Sequence, residues 1–165
     1  MDPAEVVNYL KQHELLLATA ESCTAGRIVA LLAEVPGSGS LVECGYVVYS
    51  PEAKQRLLGV SPKTIKHFNL TSIEVAHEMA TGALQDSPAN VAIATTGLCG
   101  TEDVDGIPAG TVCFAWGFVH MNRMSVFTHK HRFFGDRATL QHEAAIHALK
   151  MLPYFHARMM AGESA

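Results

Sequence analysis

The sequence predicts an α/β fold, a three-layer α/β/α sandwich built on a mixed, mainly parallel sheet. Three observations predict it. Short apolar runs at Leu15–Ala20 and Val91–Thr96 alternate with helix-like segments, as buried parallel strands alternate with their crossover helices. Late in the chain two strand-like stretches follow each other around a polar turn, which is the pattern of an antiparallel hairpin. Hydrophobic residues make up 48% of the 165 residues and charged ones 17%, below the roughly 25% usual in soluble domains. That balance calls for a sheet covered on both faces or a buried subunit interface.

Each element has a local cause. Asp2 and Pro3 supply a cap and a first-position proline for a helix whose Val6, Val7 and Leu10 share one face. Leu15–Ala20 is the first strand, and Glu21–Arg27 links it to a helix at Ile28–Ala33. The loop Val35–Ser40 leads to a second strand over Leu41–Tyr49. Ser50-Pro51-Glu52 then combines cap, proline and early acid, so a helix starts there. Pro62–His67 reads as a short helical turn. Thr71 and Glu74 have capping-box spacing and open a helix to Leu84. The strand Val91–Thr96 ends in a glycine-punctuated loop, Gly97–Gly110. Thr111–His120 and Ser125–Phe133 form the hairpin, with Asn122-Arg123 as its turn. Asp136–Met151 is the last helix, with Pro153 as its stop, and Ala161–Ala165 is expected to fray. The whole of 1–165 is expected to be one domain, with residues 1–14 as its N-terminal helix.

The charge balance excludes some functions. Twelve basic residues against 16 acidic ones give a net charge of −4, which suits neither nucleic acid nor an anionic membrane. The longest uncharged stretch, Gly106–Asn122, is broken by Gly, Pro and His, whereas a spanning helix needs about 20 mainly apolar residues. Met1–Glu5 is acidic and lacks an apolar core, so cytoplasm is the expected compartment. Cys23, Cys44, Cys99 and Cys113 form no CxxC pair and are expected to be reduced and partly buried.

Ser22 stands where a buried strand hands over to a helix. Ligands bind at such strand ends, and helix N–H groups there favour an oxyanion. Ser22 or Thr24 can equally be a simple N-cap, and Cys23 is a rival nucleophile. Lys54 lies in the first turn of the helix after the second strand, where the dipole disfavours its charge and so favours the neutral amine of a general base. A solvated lysine offset by Glu52 is the plainer alternative. Tyr49, at the strand end, either points into the same site or packs in the core. His142 and His147 form HExxxH rather than HExxH, a spacing that turns the two imidazoles about 140° apart. His129 and His131 look like alternate positions on an exposed strand face. No thiolate cluster accompanies them, so no metal is expected. No P-loop, GxGxxG or GxSxG occurs.

Taken in order, several blocks resemble the CinA C-terminal domain family, which includes nicotinamide-nucleotide amidases. They are Thr19–Gly26, Val35–Ser38, Gly45–Lys54, Leu57–Val60, Thr96–Gly100, Gly110–Val112 and Phe134–Arg137. The resemblance implies an α/β/α fold and deamidation of nicotinamide mononucleotide to nicotinate mononucleotide and ammonia. It implies a serine nucleophile, a lysine base and a nearby tyrosine, which fall on Ser22, Lys54 and Tyr49. Substrate contacts are implied at Thr24, Gly26, Thr96, Gly97, Gly100, Gly110, Thr111 and Arg137. It implies no metal, no organic cofactor, and a homodimer or higher homo-oligomer; with the charge balance and the lack of a spanning segment, no nucleic-acid or membrane partner is expected. Ala25 replaces the family's first glycine after the serine, Pro51 replaces an asparagine, and His67–Ser72 departs from the usual His-Gly-Ala-Val-Ser. Thr101–Pro108 brings Glu102, Asp103 and Asp105 to a loop where the family carries small residues. This loop is expected to crowd the substrate phosphate. The alternative function is a non-catalytic paralogue that binds a nucleotide or a protein partner.

Overall fold

The computed structural model of the protein describes residues 1–164. Asp2 caps α1 (Pro3–Gln12) through a complete capping box: its carboxylate accepts the Glu5 N–H, and the Glu5 carboxylate accepts the Asp2 N–H. β1 (Leu17–Glu21), α2 (Arg27–Ala33), a 3₁₀ turn (Ser38–Ser40) and β2 (Val42–Val47) follow. Ser50 and Pro51 start α3 (Pro51–Leu58) as cap and first residue. After α4 (Pro62–Phe68) comes α5 (Ile73–Asp86), capped by Ser72, whose hydroxyl accepts the Val75 N–H. Thr71 had the capping-box spacing but is not the cap.

β3 (Val91–Gly97), β4 (Thr111–His120) and β5 (Arg123–Arg132) complete a five-stranded sheet in the order β2-β1-β3-β4-β5. β1 runs parallel to β2 and β3, while β4 is antiparallel to β3 and β5. Only β4 therefore runs against the rest, which is the mixed, mainly parallel sheet predicted. The hairpin turn is Met121-Asn122, with φ of 51° and 61°, the left-handed pair that a two-residue turn requires. Arg123 is already in β5, paired with His120. Pro153 does not end the chain's helices. α6 (Arg137–Lys150) stops at Met151, and Pro153 sits in the first turn of α7 (Leu152–Met160), where its missing N–H costs nothing. Ala165 of the expected frayed tail lies outside the described residues.

The pleat sorts side chains by size. One face of the sheet carries Leu17, Val91, Ile93, Phe114, Trp116, Phe118 and Phe127 against α1, α2, α6 and α7. Burying each large side chain contributes about 1.5–3 kcal/mol, and Trp116 also donates its indole N–H to the Ala148 carbonyl at 2.8 Å. The other face carries Ala18, Ala20, Ala92, Ala94, Cys113 and Ala115 against α3 and α5. Small residues there let α5 lie close. Its Gly82 meets the end of α3 so tightly that a Cβ would stand 1.9 Å from the Leu58 carbonyl oxygen. The carboxyl ends of β1, β2 and β3 point the same way, so the turns after them converge on one edge.

Candidate active site

Ser22 continues the β1–β3 ladder by one residue, its N–H donating to the Thr95 carbonyl at 3.0 Å. That bond fixes the backbone of a nucleophile candidate directly beyond the strand. Lys54 reaches it from α3. Its Nζ lies 3.0 Å from Ser22 Oγ, 2.9 Å from the Val48 carbonyl and 3.1 Å from the Tyr49 carbonyl. Lys54 is 1% exposed, so it is not the solvated lysine of the plainer alternative. Burial pulls its pKa below the ordinary 10.5. Two backbone carbonyls occupy two N–H bonds of a neutral amine, and the remaining direction is Ser22 Oγ. A lone pair so placed can take the serine proton.

Glu21 had no part in the expected site, and it organises the turn. It is fully buried at the end of β1. Its carboxylate accepts the N–H groups of Ile28 (3.0 Å) and Val29 (3.3 Å) and the hydroxyls of Thr24 (2.6 Å) and Thr19 (3.1 Å). It is thus a cap for α2 supplied from the strand. The first helix N–H groups of α2 are therefore taken and do not serve as oxyanion donors. Neither Ser22 nor Thr24 is the N-cap; that position is Gly26 at φ 90°, with no side-chain cap. Among the described residues the amides of Cys23, Thr24 and Gly26 have no hydrogen-bond acceptor, which leaves the turn itself as the donor surface. Ala25 holds φ 55° inside this turn. A side chain in that conformation costs roughly 1–2 kcal/mol.

Cys23 is buried, and its thiol is pushed well up, first by a hydrogen bond with Cys99 and then by burial. A thiol held protonated is a poor nucleophile. The Cys99 thiol is shifted down, first by that same bond, against burial, and then by Arg137 and Arg27. Among the described residues the four cysteines are free. The Cys99 thiol donates to the Cys23 carbonyl at 3.7 Å, which joins the Ser22 turn to a cleft of about 360 Å³ lined by Gly97, Gly100, Glu102 and Arg137 among others. One cation, Arg137, and one carboxylate, Glu102, line this cleft.

The remaining expected residues divide. Gly97, Gly100 and Arg137 share the cleft wall. Thr24 is buried and bonded to Glu21 and Thr95. Thr96 donates to the Leu70 carbonyl, and Thr111 to the Pro108 carbonyl. Gly110 packs against the Phe133 backbone. Tyr49 reaches the site by its carbonyl only; its side chain is 55% exposed. The acidic loop also divides. Asp103 accepts the Ala109 N–H at 2.8 Å and Asp105 accepts from the Asn69 amide at 3.3 Å, so Glu102 alone of the three lines the cleft. The sequence carried only part of the signal for Glu21: a carboxylate at an apolar strand must find donors, but which donors it finds depends on how α2 docks.

A sequence model of the CinA C-terminal domain matches residues 3–155. The chain belongs to the CinA C-terminal domain family. A family relative in Enterobacter agglomerans, named as a nicotinamide-nucleotide amidohydrolase, is 37% identical over 147 residues, covering 88% of this chain and 88% of that protein. A longer relative in Caldicellulosiruptor saccharolyticus is 41% identical over 148 residues, covering 89% of this chain; the match spans 35% of that protein's length. The crystal structure of a CinA-superfamily protein from Klebsiella pneumoniae superposes with a TM-score of 0.88 at 34% identity, covering 94% of this chain and 96% of that one. No helix among the described residues is long and apolar enough to cross a membrane.

Proposed function

We propose that this CinA-family chain is an amidohydrolase that converts nicotinamide mononucleotide to nicotinate mononucleotide and ammonia. The observation that carries the mechanism is the buried Lys54 amine 3.0 Å from Ser22 Oγ, with two carbonyls fixing its orientation. The Enterobacter agglomerans relative supports the substrate class. Neutral Lys54 takes the Ser22 proton as Oγ attacks the carboxamide carbon. The amides of Cys23, Thr24 and Gly26 face the oxyanion. The lysine then gives its proton to the leaving nitrogen, and ammonia departs from a nicotinoyl ester on Ser22. Water, losing a proton to Lys54, attacks that ester, and Ser22 recovers its proton as the acid leaves. Tyr49 contributes its carbonyl to the lysine, and Arg137 faces the phosphate. No step in this sequence needs a metal.

The sheet edge at β2, with Val47 48% and Tyr49 55% exposed, offers a pairing surface for the homodimer that belongs to this reading; a monomer by light scattering at micromolar concentration would remove that part. Glu102 on the cleft wall favours a second reading, a non-catalytic paralogue that binds a nucleotide or a protein partner. The two separate on one assay. Ammonia release from nicotinamide mononucleotide by the purified protein, lost in Ser22→Ala, supports the amidase. Binding of the nucleotide without release supports the paralogue.

A further inference from the structure

We propose that His129, His131 and His147 form a binding site for one divalent first-row transition ion, best suited to zinc, which ties the edge strand β5 to α6. None of the three belongs to the Ser22–Lys54 site. His129 and His131 are two residues apart on a strand, so the pleat puts both on one face. That face meets α6, where the His147 ring lies 5.8 Å from His129 and 4.9 Å from His131 between centroids. One ring nitrogen from each of the three lies within 4.8 Å of the others. Zinc–imidazole bonds of about 2.0–2.1 Å at a tetrahedral angle place their nitrogens roughly 3.4 Å apart. The widest gap therefore closes by side-chain rotation, and His131 is exposed.

The second observation is an orphan. His147 Nε2 is buried and has no hydrogen-bond partner. A polar nitrogen removed from water without a partner is unfavourable and calls for an explanation. A ring nitrogen without a partner, beside two further imidazoles whose nitrogens come within reach, is the arrangement a bound metal ion would complete. A set of imidazoles with no carboxylate selects zinc, copper or nickel over magnesium and calcium. Three protein ligands leave the fourth position, on the exposed His131 side, to water.

The competing account is a dry aromatic box. His147 also lies 4.9 Å from Phe114 and 5.6 Å from Phe133, so the three imidazoles can pack there with no ion. Calorimetric titration of the chelator-stripped protein with zinc, together with cobalt(II) absorption, decides between them. The expected result is one ion per chain, with tetrahedral cobalt bands and no thiolate charge-transfer band. Affinity should fall at least tenfold in His131→Gln and in His147→Gln, and should be kept in His142→Gln, a histidine of α6 outside the cluster. The exposed His131 keeps the test sound if the His147 variant folds poorly. Wild-type affinity no tighter than that of His131→Gln overturns the site, as does a thiolate band or an equal loss in His142→Gln.

Discussion

Lys54 and His147 are both bases whose protons burial disfavours, and they differ in what surrounds their nitrogens. Lys54 Nζ has three oxygen partners, two of them backbone carbonyls that cannot swing away. His147 Nε2 has none. The first arrangement aims a lone pair at one hydroxyl and holds it there, which is what proton transfer needs. The second leaves a lone pair in an apolar pocket with two more imidazoles beside it, which is what a metal ion needs. Burial alone thus does not mark a catalytic base; the partners of the neutral form do.

The largest effects should come from breaking the partnered nitrogen. Ser22→Ala and Lys54→Met should each lower ammonia release by about 10³-fold or more. The stability sign runs the other way for the lysine. Because its folded pKa lies below 10.5, the unfolded chain holds the proton more tightly between the two values, and stability rises with pH through that window. At neutral pH Lys54→Met should therefore melt no lower than wild type. A melting point several degrees lower would mean that the ammonium is stabilised by its carbonyls rather than penalised.

Glu21→Gln comes next. The amide can accept some of the four bonds but puts an N–H against other donors, so unfolding in urea should show a loss of about 1–3 kcal/mol. An unchanged midpoint would remove the strand-supplied cap from the account. The orphan should respond with the opposite sign. In the presence of chelator, His147→Phe should gain about 1 kcal/mol, because an apolar ring has no nitrogen to leave unpaired. A loss would indicate an unseen partner for Nε2.

Much of this was legible in the sequence, through local causes. Asp2 and Ser50 act through bonds to residues three further on. Ser22 and Lys54 follow separate strands at the same sheet edge, and family-like blocks surround both. Three kinds of feature were not legible. Glu21 sits within an apolar run, and its donors come from the helix beyond, so its role appears only when α2 is docked. His129, His131 and His147 meet through strand pleat and helix packing, whereas the HExxxH spacing compares two residues of one helix that face apart. Pro153 and Thr71 failed because the local signals are degenerate: proline both stops and starts helices, and a capping-box spacing fits Thr71 although Ser72 makes the bond.

The smallest expected effect concerns the cleft. Glu102→Gln should lower KM for the mononucleotide roughly two- to fivefold at low salt, less at high salt, since screening weakens an exposed repulsion. Asp103→Asn and Asp105→Asn should lower it less, because their carboxylates are engaged with Ala109 and Asn69. Equal effects at all three positions would show that the loop acts by net charge rather than through the cleft wall.

The neutral lysine is tested most directly by the pH dependence of kcat/KM for nicotinamide mononucleotide. The deprotonated fraction of Lys54 grows with pH, so the account predicts a single rising limb of unit slope. Its midpoint should lie below the ordinary 10.5 of lysine, and it should not move in His147→Phe. A limb centred at a histidine's ordinary value and displaced by His147→Phe would contradict it, because the base would then be an imidazole.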